Sequence, residues 1–463
     1  MKAKISRPVK LKKSPMKPAT AKGGAALLEA TANRMRLWSD CRKLLPARRD
    51  PSQGYPTVNV VSALVHGLLC GGRGFQATEP MRGDRPALDI IGLDQAPSAP
   101  TAEDVVKYLA RDDVGGLDAL HAVLERQATR ALHAESIGSL CLPGGFAPVF
   151  GDGSLLETGG KTKDCIKVYR DKGAGQLALA AFIGPYQVVS DFAREGEDER
   201  RCLMRRGKSV LRVLRKTRLL SRALFLQDSA YGDGPYLDWL ERSFKGAHYV
   251  IGAGKLSAMR ESLQAQPESV WRDTTKETRG RGWESSAVCV CYIQCRDWPK
   301  KRVLVGRRWK LPGELFPRYA GVITNLASSQ SRMARAMRDC GKDFAGTVWD
   351  FYDAKQGMEN SWKDLLCDMG LHHPPSGKAA ANAAFFAVAA LANNLSLVCR
   401  RGLLKGADRR MTLWRFRRDL IDVAATARCH AGRVIVRILD ARERIFLQLQ
   451  AAFERIESLQ CVL

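Results

Sequence analysis

The chain has 463 residues, with 74 Lys or Arg against 48 Asp or Glu and a formal net charge of +26. That length exceeds one ordinary core and suggests about two to four domains. The charge predicts nucleic acid as the partner, because basic side chains that neutralise phosphates release bound counterions. No membrane association is expected, since the longest apolar run, residues 383–392, is too short to span a bilayer.

The first 135 residues divide into a basic arm and a helical region. Residues 1–24 carry Lys and Arg but no acid and no apolar segment, which predicts a disordered basic arm. Such an arm either lies on DNA phosphates or merely solvates the protein. Residues 25–135 place apolar side chains at helical spacing, as in TVNVVSALVHGLL. We expect a helical N-terminal domain that binds DNA, with packing against the next domain as the alternative.

Strand patterns begin near residue 145, and residues 145–257 are predicted as the first part of an α/β core. The runs APVFGDGSLLE and QLALAAFIGPYQVVSDF are rich in apolar residues and broken by Gly and Pro, which favours adjacent antiparallel strands. A basic helix follows. The strand ALFLQ, the helix PYLDWLERSF and the strand HYVIG then alternate, which indicates parallel pairing.

Three apolar runs interrupt this alternation: SSAVCVCYI, RVLVGRRW and YAGVITNL. They predict a separate β-rich insertion over residues 258–335. Residues 336–400 resume the core with one long helix around WDFYDAKQGMENSWKDLLCDMG and an apolar helix over residues 379–397. Residues 401–463 are predicted as a basic helical C-terminal region.

The number and arrangement of the cysteines indicate the redox state of the cellular compartment. The thirteen cysteines do not form the dense framework of a small secreted domain, so a reduced, cytoplasmic setting is expected. Cys289, Cys291 and Cys295 are interpreted as core residues of a strand, since no second Cys or His pair accompanies them as a zinc site requires.

Three acids are candidates for chemistry. Asp152 lies inside the first predicted strand between Gly151 and Gly153, where small neighbours leave room for a ligand. Asp228 ends the buried run ALFLQ, at the edge where open α/β sheets place their sites. Glu359 lies in the middle of the long helix. Its predicted face also carries Tyr352, Lys355 and Lys363, beside an apolar stripe.

Carboxylates from two strands and a helix suit metal-dependent phosphodiester chemistry. Their oxygens are the ligands that Mg²⁺ prefers, with Mn²⁺ as the alternative. Two such ions about 4 Å apart activate a nucleophile and stabilise the leaving oxygen. Water as the nucleophile gives cleavage, and a DNA 3′-hydroxyl gives strand transfer. Spacing alone does not establish the site, but the order strand, strand, helix and the basic charge favour it.

The segments around these acids carry a family resemblance over about residues 35–450. GDGSLLETGG, LQDSAYGDGPYLDWLERSFKGAHYVIG and VWDFYDAKQGMENSWKDLL resemble the DDE transposases of bacterial insertion sequences, and most closely the thirteen-eighty family. The resemblance implies an RNase H-like catalytic core interrupted by a β-rich insertion, with Asp152, Asp228 and Glu359 as catalytic metal ligands. It also implies double-stranded DNA as the partner, at the element's ends and the target, and a homodimer in the synaptic complex.

Two residues depart from that family's signature. The Arg of Tyr-x-x-Arg-x-x-x-Glu is Lys355 here, which keeps the charge but loses bidentate phosphate binding. The Lys expected seven residues after the Glu is Leu366, for which Lys363 is a candidate substitute. These changes bear on DNA-end handling more than on metal binding. Tyr352, Lys355 and Lys363 are the predicted DNA contacts of this segment.

Trp298 is predicted to bind DNA from within the insertion. Together with Trp283 and Trp309 it could stack on bases flipped near a cleaved end. Core packing is the competing role for each of these rings.

Two other functions stay open beside a cut-and-paste transposase acting on terminal inverted repeats. One is a catalytically inactive DNA-binding protein derived from such an enzyme, which the changes at Lys355 and Leu366 motivate. The other is an RNase H-fold nuclease that cuts without joining.

Overall fold

The computed structural model describes residues 19–48, 54–135, 137–157, 175–254, 256–296, 298–431, 433–439 and 443–459. Within these ranges the side chains of six residues are not described: Ile137, Arg279, Met358, Glu359, Asn360 and Lys363. Most of the predicted basic arm, residues 1–18, therefore lies outside the described residues.

The N-terminal region is helical, in agreement with the sequence pattern. Side-chain caps fix two helix starts: Asp84 accepts a hydrogen bond from the Ala87 amide at 3.0 Å, and Ser98 accepts one from the Thr101 amide at 3.4 Å. The helices are α1 (Ala25–Arg34), α2 (Leu37–Leu44), α3 (Thr57–Leu69), α4 (Glu79–Arg82), α5 (Arg85–Ile91), α6 (Ala99–Leu109), α7 (Gly116–Ala134) and α8 (Ile137–Leu140).

A sheet follows, and its first five strands and two helices match the predicted alternation. They are β1 (Ala147–Glu157), β2 (Gly175–Ile183), β3 (Tyr186–Phe192), α9 (Glu199–Lys216), β4 (Ala223–Gln227), α10 (Gly234–Ser243) and β5 (His248–Gly252). Strands β1, β2 and β3 pair antiparallel, whereas β1, β4 and β5 pair parallel. Every residue of β2, β3 and β4 is buried, which is typical of strands covered on both faces.

The predicted β-rich insertion is present, but it is not separate from the core sheet. After α11 (Ser257–Gln264) come β6 (Arg272–Asp273), β7 (Ser285–Ile293), β8 (Arg302–Lys310) and β9 (Arg318–Thr324). Strand β9 pairs antiparallel with β5, so the described residues form one mixed nine-stranded sheet in the order β3-β2-β1-β4-β5-β9-β8-β7-β6. The apolar edge of β5 needed a partner, and the run YAGVIT supplies one.

The predicted long helix around Glu359 is broken in two. The structure has α12 (Ser331–Cys340), α13 (Phe344–Asp353) and α14 (Gln356–Lys363), with a turn at Ala354 and Lys355. Gly357, in the first turn of α14, has low helix propensity and favours a bend here. The one continuous helix predicted to carry Tyr352, Lys355, Glu359 and Lys363 is therefore wrong, because Tyr352 belongs to α13, Lys355 lies in the turn, and Glu359 and Lys363 belong to α14.

The apolar helix α15 (Ala379–Leu397) has the predicted bounds and forms the centre of the core. With its π-helical extension to Leu403 it has 25 residues, and by length and composition it could cross a membrane. However, 94% of its most apolar window is buried inside the protein. A second candidate exists only as a pair of helices, Thr57–Leu69 and Gly74–Arg82, bent by 91°. Packing against β3, α7 and α3 accounts for the apolar composition of α15.

The C-terminal region is not wholly helical, contrary to prediction. Between α16 (Leu413–Phe416) and α17 (Glu443–Ser458) lies a hairpin of β10 (Ala425–His430) and β11 (Arg433–Ile438). Its second strand, RVIVRI, is rich in β-branched residues, which favours a strand over a helix.

The end of the predicted arm is ordered. Thr20 bridges Ala425 of β10 through backbone hydrogen bonds of 2.8 and 2.9 Å, and Lys22 pairs with Asp422 at 2.5 Å. A Cβ on Gly24 would lie 1.7 Å from the Leu420 carbonyl oxygen. The arm predicted for residues 1–24 therefore ends before residue 20, because residues 20–24 pack against the C-terminal region.

Gly252, the last residue of β5, allows a close backbone approach. A Cβ there would lie 2.8 Å from the Ser229 amide nitrogen, in the turn that follows β4. We expect Gly252→Ala to lower the free energy of unfolding by roughly 1–3 kcal/mol, because the turn must shift to admit the methyl group. Urea denaturation measures this.

Gly83→Ala is the matched control, since a Cβ at Gly83 meets no atom within 4 Å. Equal stability of the two variants would contradict the close approach at Gly252.

Candidate active site

Asp152 and Asp228 meet where β1 extends beyond β4. The parallel pairing of these strands ends at Phe150 and Leu226, so Asp152 lies past the last paired residue of β1. Asp228 directly follows β4, at the same edge of the sheet. Its carboxylate accepts a hydrogen bond from the Ala230 amide at 2.8 Å, which holds the short turn Ser229–Tyr231.

The Asp152 carboxyl has a raised pKa, of about 6. Burial is the largest cause, since removal from water disfavours the charged form. The charges of Asp228 and Glu199 raise this pKa further, while Lys355 and a hydrogen bond from the Gly153 amide lower it. Asp152 is therefore a largely buried acid that lies near two further acids and one lysine.

Tyr352 and Lys355 lie near these acids, and their assignment as DNA contacts stays a prediction. The Tyr352 hydroxyl oxygen is 2.6 Å from the position of a Cβ on Gly252, next to the turn after Asp228. Burial, followed by the charges of Asp228 and Asp353, raises the pKa of Tyr352 to about 12. Lys355 is the positive group that most lowers the pKa of Asp152. The end of α13 thus brings a hydroxyl and a cation to the acids.

Glu359 and Lys363 are placed only by their backbone. Both belong to α14, which begins one residue after Lys355. Their side chains lie outside the described part of the structure. Their assignments as third acid and DNA contact therefore stay predictions.

Aromatic and guanidinium groups connect the insertion to α13. Trp283 and Trp309 stack on each other with ring centroids 5.3 Å apart, and Arg307 of β8 lies 4.0 Å over the Trp349 ring of α13. Arg307 also pairs with Asp353 at 3.6 Å, at the end of α13. Because cation–π contacts between desolvated groups reach about 2 kcal/mol, this cluster holds the insertion against the helix that carries Tyr352.

Trp298 lies in another part of the insertion. Only 6% of it is exposed, and the Arg302 guanidinium lies 4.9 Å over its ring. Arg302 in turn pairs with Asp238 and Glu241 of α10. The burial of Trp298 agrees with a packing role, and its assignment to DNA stays a prediction.

Sequence reasoning missed two groups near the acids, Glu199 and Tyr231. Glu199 begins α9, and its Cβ lies 3.0 Å from the position of a Cβ on Gly153. Tyr231 ends the turn after Asp228, is fully buried, and its hydroxyl has no hydrogen-bond partner among the described residues. The only sequence signal for Glu199 was its place in the acidic run EGEDE before a basic helix, which equally predicts a helix start.

The donors at this edge suit a hard divalent cation. They are carboxylate and hydroxyl oxygens, and a bound cation would favour the charged form of Asp152, which burial disfavours. Among the described side chains no three His, Cys, Asp or Glu are close enough to hold one metal ion. The described residues thus supply two of the three predicted acids.

Fold and site together define a mixed α/β protein with paired acids at the carboxyl edge of its parallel strands. Residues 195–460 match the family described as Transposase DDE domain group 1. The match covers more than half of the chain, which therefore belongs to this family of transposases. It includes Asp228, Lys355 and Glu359 but begins after Asp152.

Curated proteins and solved structures provide two further comparisons with this chain. No curated protein matches the chain. Among solved structures, it is similar to the piggyBac transposase in a cryo-EM structure of a synaptic complex with hairpin DNA, at 12% sequence identity and a TM-score of 0.38. The alignment covers 87% of this chain and 80% of that chain. A TM-score of this size carries no argument about fold or function.

The raised pKa of Asp152 predicts how stability depends on pH in metal-free protein. Below about pH 4 the carboxyl is protonated in both folded and unfolded chains. As pH rises towards 6, the unfolded chain loses this proton first, so folding stability falls. We expect Asp152→Asn to raise the free energy of unfolding by roughly 1–3 kcal/mol at neutral pH, and to have little effect at about pH 4.

Urea denaturation at both pH values in the presence of a chelator measures this difference. Asp112→Asn is the control, because Asp112 is an exposed acid in a different region. A stability gain for Asp152→Asn that is equal at both pH values would show that the carboxyl is not titrating in this range.

Proposed function

We propose that this transposase belongs to a bacterial insertion sequence, most like the thirteen-eighty family, and performs cut-and-paste transposition. In this proposal it binds the terminal inverted repeats, cleaves them and joins the ends to target DNA. The observation that carries the proposal is the meeting of Asp152 and Asp228 at one sheet edge, in a chain of a transposase family.

The topology supports an RNase H-like core. Three antiparallel strands, β3-β2-β1, continue into the parallel strands β4 and β5, and helices α9 and α14 follow β3 and the insertion respectively. In this arrangement the acids would come from two strands and one helix. Strands β6–β9 would then be an insertion between the second acid and the third.

Asp152, Asp228 and Glu359 would hold two Mg²⁺ or Mn²⁺ ions. Bound there, the ions would supply an activated water or 3′-hydroxyl and stabilise the leaving oxygen. With a pKa of about 6, Asp152 is largely ionised at neutral pH and competent to bind a cation. Asp228 keeps its orientation through the Ala230 amide. Both side chains are thus in place before substrate binds.

Lys355 and the exposed basic residues of α9 would bind DNA. Lys355 lies close enough to Asp152 to lower the pKa of that carboxyl. Its ammonium group, a compact positive charge, could therefore contact the phosphate next to the cleaved bond. The exposed side of α9 presents Lys208, Arg215 and Lys216 to phosphates further along the duplex. We further propose a homodimer in the synaptic complex and a cytoplasmic, nucleoid-associated location.

The test is cleavage and joining of duplex DNA that carries the element's ends, by purified protein with Mg²⁺ or Mn²⁺. We expect Asp152→Asn, Asp228→Asn and Glu359→Gln each to lower the cleavage rate by roughly a hundredfold or more, because each removes a ligand that stabilises the transition state. Asp112→Asn should cleave at the parent rate.

The same assay separates the alternatives. DNA binding without metal-dependent cleavage would identify an inactive derivative, and cleavage without joined product would identify a nuclease. Full cleavage by Asp152→Asn would refute the assignment of the site.

A further inference from the structure

Glu199 lies on the opposite side of β1 from Asp152. Along a strand, successive side chains point to opposite faces. The Asp152 side chain therefore points to one face of β1, and Gly151 and Gly153 lie on the other face. Helix α9 packs on that glycine face: Leu203 Cδ2 lies 2.7 Å from a Cβ position on Gly151, and Glu199 Oε2 lies 3.6 Å from one on Gly153. The Glu199 carboxylate is therefore beside the strand at the residue next to Asp152.

No β4 residue pairs with β1 at this point. The β1–β4 pairing ends at Phe150 and Leu226, two residues before Asp152. The strand edge is open there, so groups on both faces of β1 can reach the same space beyond the end of β4. In accordance with this, the charges of Asp228 and Glu199 both contribute to the raised pKa of Asp152.

The Tyr231 hydroxyl is an independent indication of a ligand in this space. It is fully buried and has no hydrogen-bond partner among the described residues. Burial of such a group without a partner is unfavourable. Burial is the largest cause of the raised pKa of Tyr231, and the charges of Asp152, Glu199 and Asp228 raise this pKa further, so all three carboxylates lie in the neighbourhood of the hydroxyl. Ordered water held by these acids and a cation would satisfy it.

We propose that Glu199 is a fourth acid of the metal site, which acts on a divalent cation through that ion's water molecules, with the Tyr231 hydroxyl oxygen as a buried acceptor of a hydrogen bond from one of them. The proposal rests on the proposed function and extends it to two groups outside the predicted trio. Contact through water fits the geometry, because Glu199 lies on the opposite face of β1 from Asp152 and no three of the described acids are close enough to hold one ion directly. Mg²⁺ commonly keeps several of its waters when bound.

Mn²⁺ binding to the full-length protein without DNA tests this role. Titration followed by electron paramagnetic resonance of free Mn²⁺ gives the affinity without any dependence on activity. We expect Glu199→Gln to weaken Mn²⁺ binding by about tenfold, as is typical when an outer partner of a metal site is removed. Tyr231→Phe, which keeps the ring and removes the hydroxyl, should weaken binding at least threefold.

Glu261→Gln is the matched control, with the same chemical change on the exposed surface of α11. Thermal unfolding confirms that each variant is folded. If Glu199 and Tyr231 had only a structural role, their substitution would change the unfolding temperature without changing the affinity for Mn²⁺. Glu199→Gln and Tyr231→Phe proteins that bind Mn²⁺ within about twofold of the parent would overturn the proposal. If the parent and Asp152→Asn bind equally, the proposed metal site itself fails. If only Asp152→Asn binds more weakly, that site stands and the role of Glu199 falls.

Discussion

The early end of the β1–β4 pairing is the constraint on which the site depends. Had β4 continued alongside β1, the backbone of β4 would occupy the space beside Asp152 into which the chain now turns at Asp228. Because β4 stops at Gln227, Asp228 turns out of the sheet at the level that Asp152 has reached. The two acids are thus brought together by strand lengths, and no loop is needed to carry either of them to the other.

The attachment of the insertion strands β6–β9 to β5 and to α13 is a second constraint on the site. Strand β9 lies against β5, so four strands that follow the second acid in sequence extend the sheet that holds the first. Arg307 then fixes those strands to α13 through Trp349 and Asp353. In the sequence, Tyr352 lies between Trp349 and Asp353, the two residues that Arg307 contacts. A movement of the insertion would therefore be transmitted to the side chains next to Asp228.

Local pattern was sufficient for much of this architecture. The run ALFLQ followed by an acid predicted β4 and Asp228, and the apolar composition of residues 379–397 predicted α15 with its observed bounds. Pattern failed where distant segments decide the outcome. Nothing in YAGVIT specifies β5 as its partner, which only the folded sheet supplies. Glu199 was missed because its approach to Gly153 joins residues 46 positions apart, which no local spacing encodes.

The contact of Thr20 with Ala425 has a consequence for the order of folding. Helix α17 packs on α1, and Arg34 donates hydrogen bonds to the carbonyls of Glu457 and Leu459. Domains commonly fold in order from the N-terminus as they emerge from the ribosome. Here Thr20 and α1 acquire these neighbours only after β10 and α17, which follow them far along the sequence, have been synthesised. Until then, the face of α1 that α17 covers stays exposed.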